Sequence, residues 1–344
     1  HRDLHSFPTR RSSDLNMNEH KELLNIKNLS IHYNTSDGTV YAVDNLDLEL
    51  GCGETLGFVG ETGAGKTTTA LGIMGIIPNP PGKIVGGEII FEGEDLLKKS
   101  PKAMRSVRGK KIAMIFQDPM TSLDPVINVG NQIAEMIKIH ENVTKKEAFE
   151  KAERVLETVG IRKDRARDYP HQFSGGMKQR VGIAIALACN PTLIIADEPT
   201  TALDVTIQAQ VLELMKNLKE QYQTSMILIT HDLGIVAEIC DKVAIMYAGN
   251  VVEYSDKMSL FLKPLHPYTN GLFQSIPNIE DDLKELNTIK GLVPDPTNLP
   301  TGCPFHPRCP KAMAICSEKK PQKIEVEPKH FVSCFLYKQN GGVK

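Results

Sequence analysis

Gly60-Glu61-Thr62-Gly63-Ala64-Gly65-Lys66-Thr67 sits between the short apolar run Leu56-Gly57-Phe58-Val59 and a segment, Thr67 to Ile76, that reads as a helix. The spacing is G-x-x-x-x-G-K-[ST], in which glycines let backbone N–H groups turn onto phosphate oxygens while a lysine neutralises charge. Strand, glycine loop and helix in that order open a parallel α/β core, with the helix N-terminus aimed at an anion. Lys66 is therefore expected to bridge the β- and γ-phosphates of a nucleotide, and the Thr67 hydroxyl to ligate Mg²⁺. Gly60, Glu61, Thr62, Gly63, Ala64, Gly65 and Thr68 complete the expected phosphate cradle.

Upstream, Leu23 to Leu50 alternates apolar and polar residues around Asp37-Gly38, the pattern of an antiparallel β region with a hairpin turn. Downstream, strands are expected at Gly87 to Phe91 and Lys111 to Phe116. Apolar residues then recur at three- and four-residue spacing in Val129 to Ile139 and Lys145 to Val159, so that about 118–180 reads as a helical subdomain. A β pattern returns at Leu193 to Ala196, Met226 to Thr230 and Val243 to Tyr247, with Gly249 to Tyr254 as a final hairpin. Asp197 and Glu198 end the first of these strands, which puts both carboxylates at the carboxyl edge of the sheet, where nucleotides bind. Asp197 is expected to hold Mg²⁺ through water, and Glu198 to orient and deprotonate an attacking water.

At 344 residues with 41% apolar content, the chain fits one large domain plus an appendage. A formal charge of −2 gives no overall electrostatic case for nucleic acid as partner. The longest strongly apolar stretches, such as Val181 to Cys189, fall far short of the roughly 18 to 20 residues that span a bilayer. No cleavable signal peptide is read. His5 to Leu15 looks like a translated short-read sequencing adapter, so residues 1–16 are set aside as an artefact or a tail, and Met17 is the expected natural start. Prolines crowd the chain beyond about Leu262, removing backbone donors, so a small irregular domain is expected there.

Phe173-Ser174-Gly175-Gly176-Met177, placed between the phosphate loop and the strand ending in Asp197-Glu198, makes the order of motifs resemble the ATP-binding-cassette (ABC) family. The resemblance implies a P-loop ABC ATPase core over 23–262, with an antiparallel β region and a helical subdomain, and ATP as the nucleotide. It implies that Gln117 reaches the metal and attacking water, and that His231 contacts the γ-phosphate. Ser174, Gly175, Gly176 and Met177 would complete the site of a second subunit, with Asp204 of the run Pro199 to Asp204 at the dimer contact. Phe173 and Met177 depart from the family's usual leucine and glutamine. Tyr33 is the aromatic expected to stack on adenine, with Tyr41 as its competitor.

Three further stretches, Phe116 to Pro125, Gly175 to Val181 and Gly302 to Cys309, resemble the ATPase subunits of dipeptide and oligopeptide importers. That branch implies a second, non-identical ATPase, two transmembrane permease subunits and an extracytoplasmic solute-binding protein. It places the chain peripherally on the cytoplasmic face of the membrane. Nickel or another small solute is the alternative cargo; a non-transport ABC ATPase is the rival class, but no coiled-coil insertion or second cassette is visible. Cys303, Cys309, Cys316 and Cys334 lie at C-x5-C-x6-C-x17-C within the expected C-terminal domain, 263–338. Four thiolates can hold Zn²⁺ or a [4Fe–4S] cluster; the resemblance implies the cluster.

Overall fold

Fourteen-residue strands β1 (Glu22–Thr35) and β2 (Gly38–Gly51) make an antiparallel hairpin. Its turn is Ser36-Asp37, one residue earlier than the sequence implies, because Gly38 already pairs with Thr35. The computed structural model describes residues 22–118, 121–201, 203–275 and 288–337. The adapter-like stretch and Met17 lie outside the described residues. The strands that follow are β3 (Thr55–Val59), β4 (Gly82–Phe91), β5 (Glu94–Asp95), β6 (Ile112–Ile115), β7 (Leu193–Asp197), β8 (Ser225–Thr230), β9 (Lys242–Tyr247), β10 (Asn250–Asp256), β11 (Ile324–Glu327) and β12 (His330–Val332). The α-helices are α1 (Lys66–Met74), α2 (Pro101–Val107), α3 (Val129–His140), α4 (Lys145–Thr158), α5 (Gly175–Leu187), α6 (Val205–Tyr222), α7 (Leu233–Ile239), α8 (Lys257–Leu262), α9 (Pro267–Gln274) and α10 (Ala314–Glu318).

Two sheets result. One is antiparallel in the order β2-β1-β4-β5; the other runs β11-β12-β10-β9-β3-β8-β7-β6, with its five strands from β9 to β6 parallel. The parallel strands read as continuous apolar runs because both faces are covered. Alternate residues divide between two cores: Ile194, Ala196, Met226 and Leu228 pack with the helices, whereas Leu193, Ile195, Ile227 and Ile229 pack with the antiparallel sheet and α1.

The helical subdomain is where its periodicity puts it. Thr144 and Glu147 form a reciprocal capping box at the start of α4, and Ala148, Ala152 and Leu156 give that helix its buried stripe. Gly176 of α5 lies so close to α6 that a Cβ would stand 2.4 Å from Ile207 Cγ2.

The C-terminal segment departs from expectation. Prolines do hold residues 291–310 largely in loops, but Pro267 is the first residue of α9, where its missing N–H costs nothing, and Pro328 falls in the β11–β12 turn. Between these breakers the chain re-enters the main sheet, β12 pairing with β10 through Glu253↔Val332 and Tyr254↔Phe331. A buried carboxylate fixes this junction. Glu253 Oε1 accepts from the Leu265 amide at 2.7 Å and its Oε2 from the His266 amide at 2.8 Å, while His330 Nε2 lies 2.7 Å from Oε1. Burial pushes His266 down to about 4, so it is neutral near pH 7 and its Nδ1 accepts from the Tyr268 amide.

Candidate active site

Four parallel strands deliver the polar groups, each at its carboxyl end. β3 leads into the phosphate loop, β6 into Gln117, β7 into Asp197 and Glu198, and β8 into His231. They meet at a cavity of about 490 Å³ lined by Thr62 to Thr68, Gln117, Glu198 and His231 together with Tyr33, Val40, Ala42 and Pro296.

The loop must hug its neighbours. Gly65 has φ +103°, and a Cβ there would meet the Ala42 carbonyl oxygen at 2.2 Å, so no other residue fits. Lys66 Nζ, 7% exposed as a residue, donates to the Gly60 carbonyl at 2.6 Å and the Glu61 carbonyl at 3.0 Å. Burial lowers its pKa; Glu198, Asp197 and Glu61 oppose that by favouring the charged form.

Glu198 is the hub of the site. Its Oε2 accepts from Gln117 Nε2 and from Thr201 Oγ1, both at 2.9 Å, and its Oε1 lies 3.4 Å from His231 Nδ1. Its backbone has φ +44°, a left-handed conformation that costs a non-glycine residue on the order of 1–3 kcal/mol and that clusters at functional sites. Asp197 is buried at 3% exposure. Burial pushes its carboxyl above the ordinary value, opposed by the Thr67 hydroxyl. Among the described residues its Oδ1 has no hydrogen-bond partner. An orphaned buried oxygen beside a threonine hydroxyl suits a hard cation such as Mg²⁺.

Strand register separates the two tyrosines. Tyr33 pairs with Val40, and both line the cavity; Tyr41 pairs with His32 on the opposite face and packs edge-on against its ring at 4.7 Å. Gly60 and Glu61 are not among the residues that line the cavity. The Glu61 carboxylate turns away to Arg308, a contact that sequence reading missed, along with Thr201 and Pro296.

Ser174, Gly175, Gly176 and Met177 do not line this cavity. They start α5, where the Ser174 hydroxyl caps the helix by accepting from the Met177 amide at 3.4 Å. Arg165 lies over the Phe173 ring at 4.3 Å and donates to Met177 Sδ at 3.5 Å, so the two departures from the usual motif share one partner. Asp204 caps α6, accepting from the Ile207 amide at 2.9 Å.

All seven cysteines are free thiols. Cys303 and Cys316 are buried, and the Cys303 amide donates to the Cys316 carbonyl at 2.8 Å. Burial first, with charge on neighbouring thiols adding to it, raises the Cys303 and Cys309 thiols and takes Cys334 up to about 11, so the four share one neighbourhood. Among the described residues, however, no three metal-ligating side chains stand close enough together to hold an ion.

This sheet, with phosphate loop, glutamine, glutamate and histidine around one cavity and a buried aspartate next to that glutamate, defines the class of ATP-binding cassettes. A model of the ABC transporter family matches residues 43–201, and one of the oligopeptide/dipeptide transporter C-terminal region matches residues 252–316. The chain is 50% identical to the oligopeptide transport ATP-binding protein AppD of Bacillus subtilis, covering 93% of this chain and 98% of that one. It is 48% identical to OppD of Escherichia coli, over 91% of this chain and 93% of the relative. The dipeptide transport protein DppD of Bacillus subtilis is 46% identical over 93% and 96%. Among solved structures, a dimeric ATP-binding cassette bound to ADP and Pi matches with a TM-score of 0.62 and 26% identity, over 68% of this chain and 99% of that one. The chain belongs to the ABC transporter family, in its branch of oligopeptide and dipeptide transport ATP-binding proteins.

Proposed function

We propose that the chain is the ATP-hydrolysing subunit of a membrane importer that takes up dipeptides or oligopeptides. The observation that carries this is the convergence of Gln117, Thr201 and His231 on the Glu198 carboxylate at the mouth of the phosphate loop. Glu198 accepts the proton of the attacking water, Gln117 orients that water, and His231 stands at the γ-phosphate. Lys66 neutralises the β- and γ-phosphates, and Thr68 and the loop amides hold them. Thr67 and Asp197 would hold Mg²⁺, which when bound offsets phosphate charge. Tyr33 and Pro296 flank the base.

One set of motifs supplies half of each site. Ser174 to Met177 serve the nucleotide of a second, non-identical cassette, across a contact that includes Asp204. None of the described helices is long and apolar enough to cross a membrane. Two permease subunits and an extracytoplasmic binding protein complete the machine, with this chain on the cytoplasmic face. The C-terminal segment over 263–338 is read as the branch-specific domain, and the match over 252–316 favours peptide over nickel as cargo.

Vesicles carrying the permease and ATPase subunits, with binding protein outside and ATP inside, are expected to take up peptides and not nickel. Nickel uptake without peptide uptake would reassign the cargo, and uptake independent of ATP would refute the engine.

The four thiols are proposed to hold a [4Fe–4S] cluster, with Zn²⁺ as the alternative. Charge on any one of these thiols disfavours ionisation of the others, a cost that a cationic centre binding them as thiolates would relieve. The cluster's role is to tie the loops down. Anaerobically purified protein is expected to be brown, with broad absorbance near about 400 nm. A colourless preparation containing zinc would identify the other metal.

A further inference from the structure

Glu61, the second residue of the phosphate loop, has every polar group of its main chain and side chain held, and the C-terminal segment holds two of the three. Its amide donates to the Tyr268 hydroxyl at 3.0 Å, its carbonyl accepts from Lys66 Nζ at 3.0 Å, and its carboxylate is forked by Arg308. The fork is two-pronged, Nη1 to Oε2 at 2.7 Å and Nη2 to Oε1 at 3.1 Å. Paired N–H···O bonds of this kind fix orientation as well as charge. The side chain of Arg308 is 6% exposed, that of Glu61 28%, so water screens the pair weakly from the arginine side.

The anchor is tied on several sides. Arg308 also donates to the Lys290 carbonyl at 3.2 Å and to the Tyr247 hydroxyl at 3.3 Å. Tyr268 and Tyr247 pack on each other and on Phe305, with ring centres 4.7 to 5.3 Å apart, and neither tyrosine is more than 1% exposed. The same segment reaches the cavity itself, where Pro296 forms part of the wall and its carbonyl accepts from the Tyr41 amide at 3.0 Å.

We propose that the segment beyond the cassette completes the nucleotide site within the same chain, with Arg308 as a positioning residue that holds the phosphate loop through Glu61. Arg308 does two things. It locks the loop in the shape that presents its amides, and it neutralises a carboxylate that would otherwise repel the phosphates beside Thr62. This rests on the nucleotide reading of the cavity but not on the cargo or on what the cysteines hold.

The test is a double-mutant cycle on the full chain, read as affinity for the non-hydrolysable analogue Mg·AMP-PNP by titration calorimetry. Arg308→Met is expected to weaken binding about tenfold when Glu61 is present, and less than about threefold in an Glu61→Gln background. Arg308→Lys, which keeps the charge and loses the fork, falls between wild type and Arg308→Met. Should Arg308→Met not fold, Arg308→Lys in both backgrounds supplies the same cycle. Equal losses in the two backgrounds, or no loss at all, would overturn the proposal. A wild-type chain that binds no analogue would overturn the nucleotide-site reading beneath it.

Discussion

Glu198→Gln protein is expected to bind Mg·ATP with nearly unchanged affinity and to release phosphate about a hundredfold or more slowly than wild type. The substitution keeps the size of the side chain, an acceptor oxygen for Thr201 and a partner for Gln117, and removes the only function a carboxamide cannot supply, acceptance of a proton. General-base catalysis by a positioned carboxylate contributes about 10²- to 10⁴-fold, so the loss should appear in turnover with little change in affinity. Phosphate release under saturating ATP, measured beside equilibrium binding, separates the two. Hydrolysis within about threefold of wild type would remove Glu198 from the role of base. The left-handed backbone at this residue makes the same point from the energetic side, because the fold maintains a strained glutamate where a glycine would relax.

The second large effect is on stability. Glu253→Ala is expected to lower the free energy of unfolding by about 3 to 5 kcal/mol, a large share of the roughly 5 to 15 kcal/mol that holds a domain together. The reason is what it leaves behind. The amides of Leu265 and His266 and the imidazole of His330 would all be buried without the acceptor they now share, and both side chains of the Glu253–His330 pair have no exposed surface. Because the carboxylate joins β10, the loop before α9 and β12 at one point, the loss should expose the C-terminal hairpin first. Urea unfolding gives the energy, and limited proteolysis shows whether cleavage beyond residue 263 precedes cleavage of the cassette. A midpoint shift corresponding to less than about 1 kcal/mol would show that the junction is held by other contacts.

What could be read from the chain follows from how local each signal is. The phosphate loop, α1, the capping box of α4 and the apolar strands all declare themselves within a dozen residues, and the fold obeys them. Gln117, Glu198 and His231 are far apart in sequence; the strand end alone placed Glu198, whereas Gln117 and His231 were assigned through the family resemblance, and the parallel sheet, which brings its carboxyl ends to one edge, accounts for their meeting. Tyr33 and Tyr41 could be ranked but not separated until register was known, since a shift of one residue exchanges the faces of a strand.

Arg308 was beyond reach for a different reason. Its partner is 247 residues away, and nothing in Pro307-Arg308-Cys309 distinguishes a buried fork from a surface charge. The same limit applies to β11 and β12. Four and three residues long, they are too short to show a period, and the prolines around them argue against any sheet.

The pairing of β12 with β10 also bears on how the isolated cassette would behave. In a chain cut after α8, the β10 edge would present unpaired amides and carbonyls along an apolar strand that includes Val251, Val252 and Tyr254, a template for pairing with another copy. The hairpin replaces that edge with β11, whose four residues include Glu325 and Glu327. Short length and the charged side chains on β11, one of them, Glu327, paired with Lys263, discourage further strand addition. The terminal hairpin thus makes a short, charged strand the edge of a large sheet, in place of the longer β10.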